Sequence, residues 1–135
     1  EEIKKYLDEK EIKYKDYGTM NEEAVDYPNI AKEVAQAVQA NKCDSGILIC
    51  RSGIGMSIVA NKFKGIRCAR IVDSNDAFTA KNHNGANVIA FSANIPTEEI
   101  HNIIDNFIMT KEPSEERHLR RIEKINKIES ENYVS

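Results

Sequence analysis

Two rhythms alternate along the chain: apolar positions at helical spacing, and short runs that are apolar throughout. Ile3, Tyr6 and Leu7 lie at helical spacing in a charged stretch, so 1–10 reads as an amphipathic helix. Ile12-Lys13-Tyr14-Lys15-Asp16-Tyr17 alternates as a strand does and stops at Gly18. Few periodic apolars lie between Gly18 and Pro28, which marks a loop. Pro28 suits a first helical turn and starts a helix carrying Ile30, Ala31, Val34, Ala37 and Val38. Gly46-Ile47-Leu48-Ile49-Cys50 is short, uniformly apolar and bounded by turn residues, as a strand buried on both faces is. Gly53 and Gly55 follow it, and Met56 to Phe63 then reads as a helix. A strand is expected over Ile66–Val72 despite Arg67 and Arg70, and a helix over 74–82 capped by Asp73 or Ser74. Asn87–Phe91 reads as a second buried strand, and Pro96 opens a helix to about Met109. Ser114-Glu115-Glu116 opens the last helix, whose apolar positions Leu119, Ile122, Ile125 and Ile128 recur every three residues to about Glu129.

Strand–helix alternation with short connections predicts an α/β fold: a Rossmann-like, three-layer parallel sheet with helices on both faces. Ligands in such sheets bind beyond the carboxyl ends of strands, which directs attention to loops 18–28, 50–55 and 83–87. The final helix has a narrow apolar stripe and no evident partner in a small domain, so it is expected to cross to a dimer partner. A doubly wound domain ordinarily opens on a strand. This chain opens on a helix, so a strand is expected before Glu1.

Composition narrows the class. A length of 135 residues fits one domain, 1–135. A net charge of −3 argues against a nucleic-acid-binding protein, whose basic footprint would dominate. No apolar run approaches the roughly 20 residues of a membrane span, and from the charged start no signal peptide is expected. Three cysteines occur singly at 43, 50 and 68, with no Cys-x-x-Cys or paired-histidine spacing. Neither a disulfide scaffold nor a metal site is expected, and free thiols suit a reducing, cytoplasmic setting.

The chemistry concentrates in Cys50-Arg51-Ser52-Gly53-Ile54-Gly55-Met56-Ser57. A buried strand brings a thiol to its carboxyl end, and two glycines turn the backbone into a helix. Amides at such a turn form an anion nest reinforced by the helix N-terminus. A nest of this kind stabilises an enediolate, and it also favours the thiolate of a cysteine whose ordinary pKa is about 8.5. The plain alternatives stand beside this. A cysteine here is ordinarily a small core residue, and a Gly-x-Gly turn after a strand is common. The spacing is neither a Walker motif nor a full G-x-G-x-x-G.

Gly46–Ser57, with Ala60-Asn61-Lys62-Phe63-Lys64-Gly65-Ile66-Arg67 and His83-Asn84-x-x-Asn87-Val88, closely resembles the ribose-5-phosphate isomerase B family, relatives of the galactose-6-phosphate isomerase subunits. The resemblance extends to Tyr17-Gly18-Thr19, Asp26-Tyr27-Pro28 and Arg117-His118-x-x-Arg121-Ile122, nearly the whole chain. It implies interconversion of ribose 5-phosphate and ribulose 5-phosphate in the pentose phosphate pathway. It implies no cofactor and no metal, and a homodimer or dimer of dimers with sites built from both subunits. Cys50 would move the proton between C1 and C2. Ser52 would assist ring opening or relay a proton, and Gly53 and Gly55 would form the anion hole. His83 would open the ring; its ordinary fate is a cap or surface residue. Asn84 would contact a sugar hydroxyl, while Asn87 braces the strand. Tyr27 would line the sugar pocket rather than merely pack in a turn. Arg117 and Arg121 share a helical face at i and i+4 and would hold phosphate rather than pair with Glu116 or Glu123.

Three departures bear on this reading. The Asp-His-Ala-Gly type motif that opens the family is absent from the residues given. Arg51 stands where the family usually has glycine, and Asn94 where many members carry a phosphate-binding arginine. The competing readings are an isomerase of allose or galactose 6-phosphate, and a non-catalytic sugar-phosphate-binding paralogue. Retention of both Cys50 and His83 favours the pentose reading.

Overall fold

A computed structural model describes residues 2–18 and 27–133. Thr19, Asp26 and most of the loop expected at 18–28 lie outside the described residues. The chain forms α1 (Glu2–Glu9), α2 (Tyr27–Gln39), β1 (Gly46–Cys50), α3 (Ile54–Ala60) and β2 (Cys68–Arg70). It continues with α4 (Ser74–Asn82), β3 (Val88–Ser92), α5 (Thr97–Met109) and α6 (Glu116–Asn132). The strands form one parallel sheet in the order β1-β3-β2, with Gly46 opposite Val88 and Cys68 opposite Val88 from the other side.

β3 is the centre of the fold, and its period-two side chains divide the core. Val88 and Ala90 pack against α2 and α3 through Ala31, Ala35, Met56 and Ala60. Ile89 and Phe91 pack on the other face against α4 and α5 through Ala77, Ile103, Ile104 and Phe107. All four of these β3 side chains have zero exposure, which is why the strand reads as an unbroken apolar run. This is the three-layer, Rossmann-like α/β arrangement expected from the sequence. α4 starts at the predicted cap: the Asp73 carboxylate accepts from the Asp76 N–H at 2.8 Å. The Ser74 N–H donates to Glu99 at 2.8 Å, and that bond holds the Glu99 carboxyl below its usual range.

Two expectations are corrected. Residues 12–17 form no strand. They line a groove of about 1020 Å³ whose opposite wall is β1, so no ladder partner lies within reach. Alternation marked a segment with one apolar and one wet side, but a strand also needs an edge to pair with. The strand expected over 66–72 is confined to Cys68–Arg70.

α1 is fastened to α5 by Tyr6. Its ring stacks on His101 with centroids 3.9 Å apart, and its hydroxyl donates to Asp105 at 2.5 Å. That hydrogen bond first, then burial and the carboxylates of Asp105 and Glu9, push the Tyr6 pKa up to about 12 from 10.0. A proton held more tightly in the folded state stabilises the fold fully below pH 10, and this contribution fades as pH rises toward 12. In a near-ultraviolet titration of the protein's five tyrosines, one should ionise late, and Tyr6→Phe should remove that late component. All five titrating together in the wild type would show that α1 is not docked through this bond.

Candidate active site

The strand β1 ends at Cys50, and the following loop crosses the carboxyl end of β3. Gly53 makes the crossing possible. Its φ is +80°, and a Cβ there would lie 2.8 Å from the Phe91 Cα, so only glycine fits. Each carbonyl of the loop is taken by a donor away from the thiol. Cys50 accepts from the Ala93 N–H at 2.9 Å and Arg51 from the Ser92 hydroxyl at 2.7 Å, while Ser52 accepts from Arg70 Nε at 3.1 Å.

The amide hydrogens therefore turn the other way. Gly53 N–H donates to Cys50 Sγ at 3.0 Å, and Ile54 N–H donates to Ser52 Oγ at 3.2 Å. The N–H groups of Gly55 and Met56, in the first turn of α3, have no acceptor among the described residues. A half-buried sulfur with an amide donor at its side, and unfilled amides one turn away, can hold a developing negative oxygen. Tyr27 closes the other side: a Cβ on Gly55 would lie 2.7 Å from the Tyr27 hydroxyl oxygen. Cys50, Ser52, Gly53, Gly55 and Tyr27 are thus brought together. Burial pushes the Cys68 thiol up to about 12 and keeps it protonated.

The remaining expected site residues lie elsewhere in the same chain. His83 is the C-cap of α4, and loop 83–87 leads into β3. It therefore lies at the amino end of the sheet, not the carboxyl end as expected. The five residues of β3 separate it from the Cys50 loop by roughly 15 Å at about 3.3 Å per residue. There His83 stacks on His118, with centroids 4.2 Å apart and an interplanar angle of 16°. His118 is the buried side chain of α6, at 5% exposure. Its Nε2 sits 3.0 Å from the Glu115 carboxylate, but not aligned as a hydrogen bond. Arg117 and Arg121 are exposed on the same helix, Arg117 within 3.5 Å of Glu115. Asn84 lines a pocket of about 500 Å³ with Arg67, Ile125 and Ile128. Asn87 braces β3 as expected, accepting from the Arg67 N–H and donating to the Gly65 carbonyl, both at 2.8 Å.

His118 was not singled out from the sequence, although it sits inside Arg117-His118-x-x-Arg121. Its signal is a histidine on the apolar side of an otherwise charged helix.

The parallel sheet thus presents a thiol to a turn of backbone amides. The family described as Ribose/Galactose Isomerase matches residues 1–125, and the chain belongs to it. It is an aldose–ketose isomerase by class. It is 38% identical over 128 residues to ribose-5-phosphate isomerase B of Escherichia coli, covering 95% of this chain and 86% of that one. The solved structure of Clostridium thermocellum ribose-5-phosphate isomerase B superposes with a TM-score of 0.91 at 37% identity, covering 96% of this chain and 88% of that one. The Mycoplasma genitalium ribose-5-phosphate isomerase B, solved with bound ribulose-5-phosphate, gives 0.88 at 37% identity over 95% of this chain and 86% of that one.

Replacing Gly53 by alanine should destabilise the protein by roughly 1–3 kcal/mol in chemical denaturation, because the loop must lift off Phe91. A loss near zero would mean that the loop does not rest on β3 as described.

Proposed function

We infer that the protein interconverts ribose 5-phosphate and ribulose 5-phosphate, with Cys50 as the base. The observation that carries this reading is the Gly53 N–H donated to the Cys50 sulfur at the mouth of an amide-lined turn. A thiolate held there takes the proton from C2 of the open-chain aldose. The electron pair moves toward the carbonyl oxygen and gives an enediolate, whose charge the Gly55 and Met56 amides face. The thiol then returns the proton to C1, while the Ser52 hydroxyl relays a proton between the two sugar oxygens. No atom is gained or lost, as isomerisation requires. His83, steadied by its stack on His118, donates a proton to the ring oxygen before this step. Arg117 and Arg121 hold the phosphate through charge-assisted hydrogen bonds. The chemistry itself needs no cofactor, since only a proton moves between adjacent carbons.

The separation of His83 from Cys50 within one chain supports a homodimer with shared sites. A two-fold axis would place the His83–Arg117–Arg121 end of one copy over the Cys50 loop of the other. Ile54 and Ile58 of α3 and Leu119, Ile125 and Ile128 of α6 are exposed, and such a pairing would cover apolar surface of this kind. The open edge of β1 would accept one further parallel strand in the groove beside it. The turn after such a strand would fall next to Cys50. Allose or galactose 6-phosphate remains the second reading, because Asn94 stands where an arginine contact to phosphate is usual in the family.

Cys50→Ala should lower turnover of ribose 5-phosphate by at least about a thousandfold while leaving binding of the sugar phosphate within a few-fold. Full activity in that variant would remove Cys50 from the mechanism. Mixing inactive Cys50→Ala with inactive His83→Ala should restore about a quarter of wild-type activity, since half of random dimers carry one intact site of two. A mixture that stays dead after subunit exchange would show that the two residues do not meet across an interface.

A further inference from the structure

The proposed base has a neighbour that neither its motif nor the family description assigns a part. Arg70 is the last residue of β2, two strands away from β1 in the sheet order. The loop after β1 crosses the end of β3 and reaches it. Arg70 Nε donates to the Ser52 carbonyl at 3.1 Å. That carbonyl and the Gly53 N–H are two ends of one peptide group, and the Gly53 N–H donates to Cys50 Sγ at 3.0 Å. A cation therefore sits at one end of a peptide whose other end holds the sulfur.

Two consequences follow from elementary electrostatics. A guanidinium on the carbonyl oxygen draws electron density toward it and makes the N–H of the same peptide a stronger donor. It also fixes the direction of the peptide. Turned over, the group would present a carbonyl oxygen to the sulfur and disfavour a thiolate. Glycine at position 53 lowers the barrier to such a turn, so a fastening on the carbonyl side matters here. Arg70 is exposed and makes no other hydrogen bond or ion pair with the described residues, so neither burial nor another ion pair explains its place.

We propose that Arg70 is a positioning residue for the Cys50 thiolate, acting through the peptide bond between Ser52 and Gly53. The proposal rests on Cys50 being the base, but its test does not need turnover. Cys50 alkylation by iodoacetamide reports thiolate directly, and peptide mass spectrometry separates it from Cys43, which serves as the internal reference. In Arg70→Met, alkylation of Cys50 at pH 7 should slow about threefold to tenfold, and its pH profile should move to higher pH. Cys43 should be unchanged. Arg70→Lys, which keeps a cationic donor for the carbonyl, should recover at least half of the lost rate. Turnover should fall with the alkylation rate, with KM within about twofold. If Arg70→Met fails to fold, Arg70→Gln makes the same comparison with a neutral donor. An unmoved Cys50 profile in the neutral variant overturns the proposal, and so does a lysine variant no better than it, or equal slowing at Cys43. Those results would leave Cys50 free to be the base, whereas an active Cys50→Ala would remove the base and leave the alkylation result standing.

Discussion

The closeness of Gly53 to the backbone of Phe91 governs the rest of the site. Without a Cβ at that point the loop can lie flat across the end of β3; with one, it must lift. Lying flat, it puts the carbonyls of Cys50, Arg51 and Ser52 within reach of Ala93, Ser92 and Arg70, which take all three. Carbonyls used on one side leave N–H groups on the other, and those are what a sulfur and an enediolate need. The support under the loop is a strand whose four core side chains are wholly buried, so the platform has little freedom to yield. Electrostatics at Cys50 is thus a consequence of packing at Phe91.

The parallel topology also accounts for the division of the site. Connections after strands gather at one end of the sheet, and connections after helices at the other. Cys50 follows a strand, whereas His83 follows α4 and precedes β3. No adjustment of side chains joins the two across the length of a central strand. In the proposed reading a second copy joins them, and the cost of a divided site is offset by burial of apolar side chains on α3 and α6. The His83–His118 stack then has a clear use. It holds the ring of a C-cap residue, otherwise free to swing, in one orientation against α6.

Most of the architecture could be read along the chain, because burial on both faces leaves an unmistakable mark. β1 and β3 read as apolar runs, and the start of α4 as a cap at Asp73 or Ser74. The segment 12–17 misled because alternation records which side is wet, not whether a partner strand is present. Loop 83–87 was placed at the wrong end of the sheet, although strand–helix alternation alone determines the end of each loop. The seating of Ser52 on Arg70 was beyond sequence reading. Eighteen positions separate the two residues, and the contact depends on the loop crossing β3. His118 carries a weaker mark, a histidine on the apolar side of a charged helix, and its burial depends on the facing ring of His83.

Arg51 stands where the family usually has glycine. Glycine is required where φ is positive or where a Cβ would collide. Among the described non-glycine residues only Glu11 and Asn41 have positive φ, so the backbone at Arg51 is one that any L-residue adopts. Its side chain is exposed, and its carbonyl is held by Ser92, whose hydroxyl in turn accepts from the Asn94 N–H at 3.0 Å. Arg51 therefore neither strains nor crowds the anion loop. What it adds is a positive charge one residue from the thiol, of the same sign as Arg70 on the far side. A loop departing from its family at one position can thus keep the chemistry, since the constraint lies at Gly53 and not at its neighbour.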